Sequence, residues 1–435
     1  MLKTLQNALK VKDIRDHLLF TFFMLVIVRL GSQLPVPGVN SSYFAEMVST
    51  DSFNFFNSLT GGSFEDFSIF ALSITPYITS SIIMQLLTIA IPKLEDMHKE
   101  EDGRRKIAEI TRYVTVGLAL IQSIALAVGF GGQGLLVNFT WYNVVVVVAA
   151  LTAGSAFLMW IGEQITDKGI GNGISVVLLI NILSRMPSDM AVLYERFIKS
   201  ASNIGFAVVA VIVIIAIIVA IIAFVVLLND AIRRIPVQYS QKIVGRRSTG
   251  GQASHIPLKV NTAGVIPVIF ASSIMTFPVI ISQFFHVNYD TWYGKILLGL
   301  SSSNWCRPDR PVYSIGLIVY IVLIIAFAYF YTSITFNPLE VANNMKKSGG
   351  FIPGIRPGKN TSDYLNRVLN HIVFIGAVGL TIIAILPIIV SGIFDVTRLS
   401  FGGTSIIIVV SVIMETIKQI ESKMLVRNYK GFLNS

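Results

Sequence analysis

The chain has 435 residues, 53% of them hydrophobic and only 13% charged, with a formal net charge of +10. Ordinary globular domains carry about a quarter charged residues, so this composition excludes a water-soluble domain as the main body and calls for a bilayer as solvent. The single cysteine, Cys306, excludes an intrachain disulfide, and no metal or thiol chemistry is expected there.

Apolar runs long enough to cross a hydrocarbon core recur along the whole chain. They predict ten spans, near 18–34, 67–91, 111–130, 141–163, 172–186, 204–228, 262–284, 312–336, 368–391 and 402–421. The first follows a basic stretch (Lys3, Lys10, Lys12, Arg15), as a signal peptide does, but runs into Gly31-Ser-Gln-Leu-Pro35 without a small-residue cleavage site, so it is read as retained.

Phe53-Asn-Phe-Phe-Asn-Ser-Leu59 is apolar but too short to span, and Thr60-Gly-Gly-Ser63 separates it from the next helix. This pattern predicts a broken, re-entrant helix, with a surface loop as the alternative. Non-helical backbone at membrane depth is tolerated only where protein buries it or water reaches it. The following span is rich in small polar residues (Ser73, Thr75, Thr79, Ser80, Ser81, Gln85, Thr88) and carries Pro76, read as interior to the helix. Such residues either line an internal surface, for which Gln85 is the best candidate, or serve helix packing.

Gly169-Ile-Gly-Asn-Gly173 joins two spans and follows no strand, so it predicts a tight turn and not a phosphate loop. Three loops, 92–112, 229–260 and 337–367, are long and basic, with turn-prone tips at Gly245-Arg-Arg-Ser-Thr-Gly-Gly251 and Pro353-Gly-Ile-Arg-Pro-Gly358. Most of the 34 Lys and Arg fall in the termini and in these and the other loops on the same side. The positive-inside rule then places both termini in the cytoplasm, and it also accounts for the net charge without a nucleic-acid partner.

The signatures of catalysis are missing: there is no H-E-x-x-H, no G-x-S-x-G and no Cys-His cluster, and the five histidines are scattered. Coupled transporters keep ionisable groups near mid-membrane. Here the span interiors have almost none, and Arg29 and Glu163 sit near span ends where snorkelling or an ion pair satisfies them. A passive conduit is favoured over a small-solute transporter built on inverted repeats, and over an intramembrane protease. Ten spans split as five and five permit such an inverted repeat, although no residue-level repeat is visible.

Ordered motifs along the whole chain carry a resemblance. They are Ile69-Phe-Ala-Leu-Ser-Ile-Thr-Pro-Tyr-Ile78, Gly103-Arg-Arg-Lys106, Trp160-Ile-Gly-Glu-Gln-Ile165, Gly169-Ile-Gly-Asn-Gly-Ile-Ser175, Pro257-Leu-Lys-Val-Asn261, Ala263-Gly-Val-Ile-Pro267, Phe351-Ile-Pro-Gly-Ile-Arg-Pro-Gly358 and Phe401-Gly-Gly-Thr-Ser405. In these the chain closely resembles the SecY family of protein-conducting channels.

The resemblance implies an all-α integral membrane protein with ten transmembrane helices in two pseudo-symmetric inverted halves around an hourglass pore. The N-terminal half would be 1–186, with a re-entrant plug at about 53–66. An external connector would follow at 187–203 and the C-terminal half at 204–435, with docking loops at about 229–260 and 337–367. The implied pore ring is Ile74, Ile78, Leu178, Ile269 and Ile408, where Leu178 replaces the family's usual isoleucine. Ile74 and Ile78, four apart, share a helix face.

The implied plug core is Asn57, Ser58, Leu59, Thr60, Gly61, Gly62, Ser63 and Phe64. Gln85 and Asn261 would sit at a lateral gate opening toward lipid, and Arg246, Arg247 and Arg356 would dock a SecA motor ATPase or a translating ribosome. The resemblance also implies SecE and SecG subunits, signal sequences and unfolded precursors as clients, a bacterial plasma-membrane location, no cofactor and no enzymatic activity in this subunit.

Overall fold

The computed structural model describes residues 10–42, 60–195, 204–239, 242–244, 247–249, 253–283, 291–301, 304–306, 311–394 and 403–433. In chain order the helices and strands are α1 (Lys12–Ser32), α2 (Thr75–Ala90), α3 (Pro92–Lys99), α4 (Glu101–Phe130), α5 (Trp141–Lys168), α6 (Gly173–Tyr194) and α7 (Ile204–Asp230), then β1 (Ile232–Tyr239), β2 (Lys242–Val244), β3 (Arg247–Thr249) and β4 (Ala253–Lys259). There follow α8 (Ile266–Gln283), α9 (Trp292–Leu300), α10 (Ile315–Thr335), α11 (Pro338–Lys347), β5 (Gly350–Phe351), α12 (Lys359–Phe394) and α13 (Gly403–Leu433).

Among the described residues six helices are long and apolar enough to cross a membrane, and a seventh span arises if the bent pair α2–α3 counts as one. Aromatic pairs Trp141–Tyr142 and Trp292–Tyr293 open α5 and α9 and are largely exposed, as amphipathic rings at a membrane–water boundary are.

Several boundaries differ from the sequence expectation. The span expected from residue 67 begins as helix only at Thr75, because residues 61–74 form successive turns. Pro76 therefore sits in the first turn of α2, where its missing N–H costs nothing, and not in the helix interior. The expected loop 92–112 is mostly helical: α3 leaves α2 at 109° and leads into α4.

The chain divides into two compact units. Unit 1 comprises residues 1–211, 279–294 and 395–435, and unit 2 residues 212–278 and 295–394. The core of unit 1 is assembled around the turns of 61–74: Phe64, Phe67, Ala71 and Leu72 pack with Ala119, Leu126 and Phe130 of α4 and with Val147 and Leu151 of α5.

A second knot in unit 1 is the 169–173 turn, whose backbone is bonded by side chains from three helices, α1, α5 and α13. The Ile170 N–H donates to Thr21 Oγ1 (3.1 Å), that of Gly171 to Gln419 Oε1 (3.0 Å) and that of Gly173 to Thr166 Oγ1 (2.9 Å), while the Ser175 N–H donates to the Asn172 cap at 3.4 Å. The tight-turn reading holds, and the N–H groups of Gly169, Ile170, Gly171 and Gly173 are all engaged by protein.

Unit 2 contains what the helical expectation left out. Two of the loops pair into a three-stranded antiparallel sheet in the order β4-β1-β5, with Ile235 opposite Ile256 and Gln238 opposite Phe351. Its buried face (Ile235, Val237, Leu258) packs with Met345 of α11, Ile352, and Leu365 and Ile372 of α12. Within the membrane-crossing part, Phe270 of α8 meets Phe327 of α10 edge to face at 5.4 Å, and Ser272 shares a 3.1 Å hydrogen bond with Tyr320.

Candidate functional site: a buried break in the helical backbone

Residues 60–74 form a buried stretch of non-helical backbone in unit 1. Thr60, Gly61, Gly62, Ser63, Phe64, Phe67 and Ser68 are all buried, so their backbone groups need partners in the protein, and the Ser63 hydroxyl has none. Several come from the strand-like segment after α1: the Val36 N–H donates to Phe67 O (3.1 Å) and the Ile69 N–H to Leu34 O (2.9 Å). Others are local, with the Phe64 N–H on Thr60 Oγ1 (3.3 Å) and the Ser68 N–H on Ser63 O (3.0 Å).

Further partners come from α5, where Ser155 Oγ donates to Ser73 O at 3.2 Å, and from α6. Ser184 Oγ shares its one proton between Asn181 O (2.6 Å) and Gly61 O (3.3 Å), Asn181 Nδ2 donates to Ser73 Oγ at 3.2 Å, and Arg185 Nη1 pairs with Glu65 Oε2 at 2.8 Å. Arg29 of α1 reaches the same Gly61 carbonyl at 3.5 Å, which is how this span-end cation is met.

The backbone is strained as well as broken. Phe67 (φ 45°) and Ser73 (φ 51°) are in the left-handed region, which is costly for a bulky side chain and persists only where surroundings over-determine it. Gly61 (φ 68°) occupies the same region legitimately, and a Cβ there would lie 2.7 Å from Asn181 O. From the other side, Gly154 of α5 lets the chain in: a Cβ at 154 would meet Ile69 O at 2.1 Å.

Ile74 is the N-cap of α2 and fully buried, the Ile78 N–H closes on its carbonyl at 3.0 Å, and Ile78 is half-buried. Leu178 is on α6, one turn before the Asn181 that holds Ser73. Ile408 is on α13, which packs against α6.

The two helices are antiparallel, since Gly171 and Gly169 meet Gln419 and Lys423 in turn. Ile74, Leu178 and Ile408 all belong to unit 1. Ile269 belongs to α8 in unit 2.

Thr60, Gly61, Gly62, Ser63 and Phe64 form the start of the break, while Asn57, Ser58 and Leu59 lie outside the described residues. Gln85 is exposed on α2. The hydroxyls around it serve packing: Thr79 and Thr88 bond carbonyls one turn back, and Ser80 bridges to Thr115 of α4. Asn261 is buried in unit 2, where its Nδ2 donates to Asn229 Oδ1 at 2.8 Å and its Oδ1 has no partner.

Arg356 is exposed on a tip anchored by Ile355 against the sheet core and by Thr361, whose hydroxyl donates to the Arg356 carbonyl at 3.0 Å. Gly354 (φ 82°) permits the turn. Arg247 lies on β3, and Arg246 is outside the described residues. Sequence reasoning missed Asn181, Ser184 and Arg185. Their spacing of three and four was a visible signal, but nothing in the sequence said which segment that face would meet.

Comparison with known proteins fits this geometry. The family profile described as SecY matches residues 68–417. The chain belongs to the SecY family. It is 43% identical over 441 residues to the protein translocase subunit SecY of Halalkalibacterium halodurans, with all of both chains covered. A solved protein-conducting channel superposes with a TM-score of 0.65 at 18% identity, over 94% of this chain and 92% of that one. The Sec61 protein of a canine ribosome-channel complex from the endoplasmic reticulum gives 0.63 at 17% identity, over the same shares. These two likenesses establish the fold.

Proposed function

We propose that this SecY-family chain is the central protein-conducting channel subunit of a bacterial plasma-membrane translocase. It passes unfolded polypeptides and releases transmembrane segments sideways into lipid. The observation that carries this reading is the buried break at 60–74, strained non-helical backbone held beside α6 by separate side-chain contacts. Residues 53–66 act as the plug. Ile74, Ile78, Leu178, Ile269 and Ile408 form an apolar ring that seals by dewetting and closes around chains of any sequence. Gln85 and Asn261 border the lateral gate.

The termini face the cytoplasm, and so do the basic tips carrying Arg246, Arg247 and Arg356. These tips receive a SecA motor or a ribosome, whose phosphates favour basic partners. SecE and SecG complete the complex. A channel of this kind is not an enzyme, and its partners hydrolyse the nucleotide. Family membership stands against the small-solute transporter reading.

The test is translocation of a signal-bearing precursor into vesicles carrying the reconstituted complex, with SecA and ATP. Signal-dependent protection from protease is expected, and absence of protection with all subunits present would overturn the reading. Deleting 57–64 should raise ion conductance, and unchanged leakage would remove the plug assignment.

A further inference from the structure

Three polar side chains on one face of α6 meet the broken segment at both of its ends. Asn181, Ser184 and Arg185 are spaced three and four apart, so they project together. Arg185 holds Glu65 and Ser184 holds the Gly61 carbonyl at the start of the break, while Asn181 holds Ser73 at its end. The contact is close: a Cβ on Gly62 would sit 3.4 Å from Arg185 Nη1, and Ser184 Oγ itself lies 2.9 Å from where a Cβ on Gly61 would be.

We propose that Asn181, Ser184 and Arg185 form a latch that positions the plug-bearing segment in its seated state, with the Arg185–Glu65 pair as its releasable element. The proposal rests on the reading of 53–66 as a plug. Side-chain exposures of 18% for Arg185 and 35% for Glu65 leave the pair desolvated enough to be directional yet open to water on one side.

It is also a one-point contact. Nη1 makes the bond, while the buried Nε has no partner, so the guanidinium does not use the two-pronged grip that makes arginine–carboxylate pairs hardest to break. The other two members are neutral hydrogen bonds, individually weak. Such a latch holds the segment in register without preventing its departure when a translocating chain competes for the space. The ligand of the α6 face is therefore the chain's own Glu65, Gly61 and Ser73. When the plug leaves, the same cation and amide are exposed to whatever enters.

The test uses the complete complex in vesicles and reads ion leakage together with maleimide labelling of a cysteine placed at Ser63 in a Cys306→Ser background. Ser63 is buried. Arg185→Glu should raise both readouts about tenfold, the population change expected from losing one coupling of this class. Glu65→Arg combined with Arg185→Glu should bring both back toward the wild-type level, which a merely structural lesion would not do.

Leakage in the reversal without recovery in the exchange, or a tight seal in the reversal, overturns the latch. The 57–64 deletion run in parallel separates the two ideas. If it leaks while Arg185→Glu stays tight, only the latch falls; if the deletion does not leak, the plug reading falls. Membrane abundance of each variant is measured alongside, and the conservative Arg185→Lys, expected to leak less than Arg185→Glu, keeps the test open if the reversal fails to accumulate.

Discussion

Two non-helical regions among the described residues solve the same problem in opposite ways. The strands of unit 2 satisfy their backbone with one another, β1 between β4 and β5, so their stability resides in a self-contained ladder over an apolar core. The break at 60–74 in unit 1 has few such pairings. It borrows donors and acceptors from α1, α6 and the segment near 34–36, and relies on glycines for close approach. The difference teaches which region can move. A ladder is lost cooperatively, whereas a segment held by separate side-chain contacts can be released and recaptured as a unit.

Substitutions that attack each solution separate them. Gly154→Val should have the largest effect, because a backbone carbonyl stands at 2.1 Å and cannot rotate away. A loss beyond about 4 kcal/mol is expected, seen as a collapse of thermal stability in detergent. Leu365→Ala in the fully buried sheet core should cost about 3 kcal/mol. It should speed proteolysis of the 229–260 region without opening the ion seal, and leakage there would contradict the independence of the two regions.

Asn337→Ala removes the cap that accepts from the N–H groups of Leu339 (3.1 Å) and Glu340 (3.3 Å). About 1 kcal/mol of α11 stability should go with it, read by hydrogen exchange of that helix. Glu163→Gln should be the mildest for stability. Its 2.6 Å pair with Arg112 is partly exposed, at 23% and 49%, which leaves about 0.5 kcal/mol after solvent screening.

Cys306 offers a test that leaves stability untouched. Burial pushes its thiol above the ordinary range, so less thiolate is present at neutral pH, and maleimide labelling should be slower than for a free cysteine and rise with pH. Labelling at the free-thiol rate would mean that this loop is more open than described.

Much of the molecule was legible in advance because a bilayer leaves few options. Apolar runs near 111–130, 141–163, 204–228 and 312–336 became α4, α5, α7 and α10 with only end corrections. The break at Gly61-Gly62 was legible because two adjacent glycines interrupt an apolar pattern. The assignment of Ile74, Leu178 and Ile408 to a ring came only through the resemblance, since isoleucine and leucine look alike wherever they sit in a span.

The loops were read as basic and turn-prone, yet their strands went unseen. Charge bias masks the alternation in Ile232–Tyr239, and β5 is two residues long, visible only beside β1.

The sequence by itself determined that the chain lives in a bilayer, that its span interiors carry almost no charge and that the backbone leaves the helix at Gly61-Gly62, because hydropathy, charge placement and glycine act locally. Only the tertiary structure decided that loops far apart in sequence share one sheet, and that Asn181, Ser184 and Arg185 face the broken segment. Those outcomes depend on which surfaces meet, and a helix face has no address until its neighbour is in place.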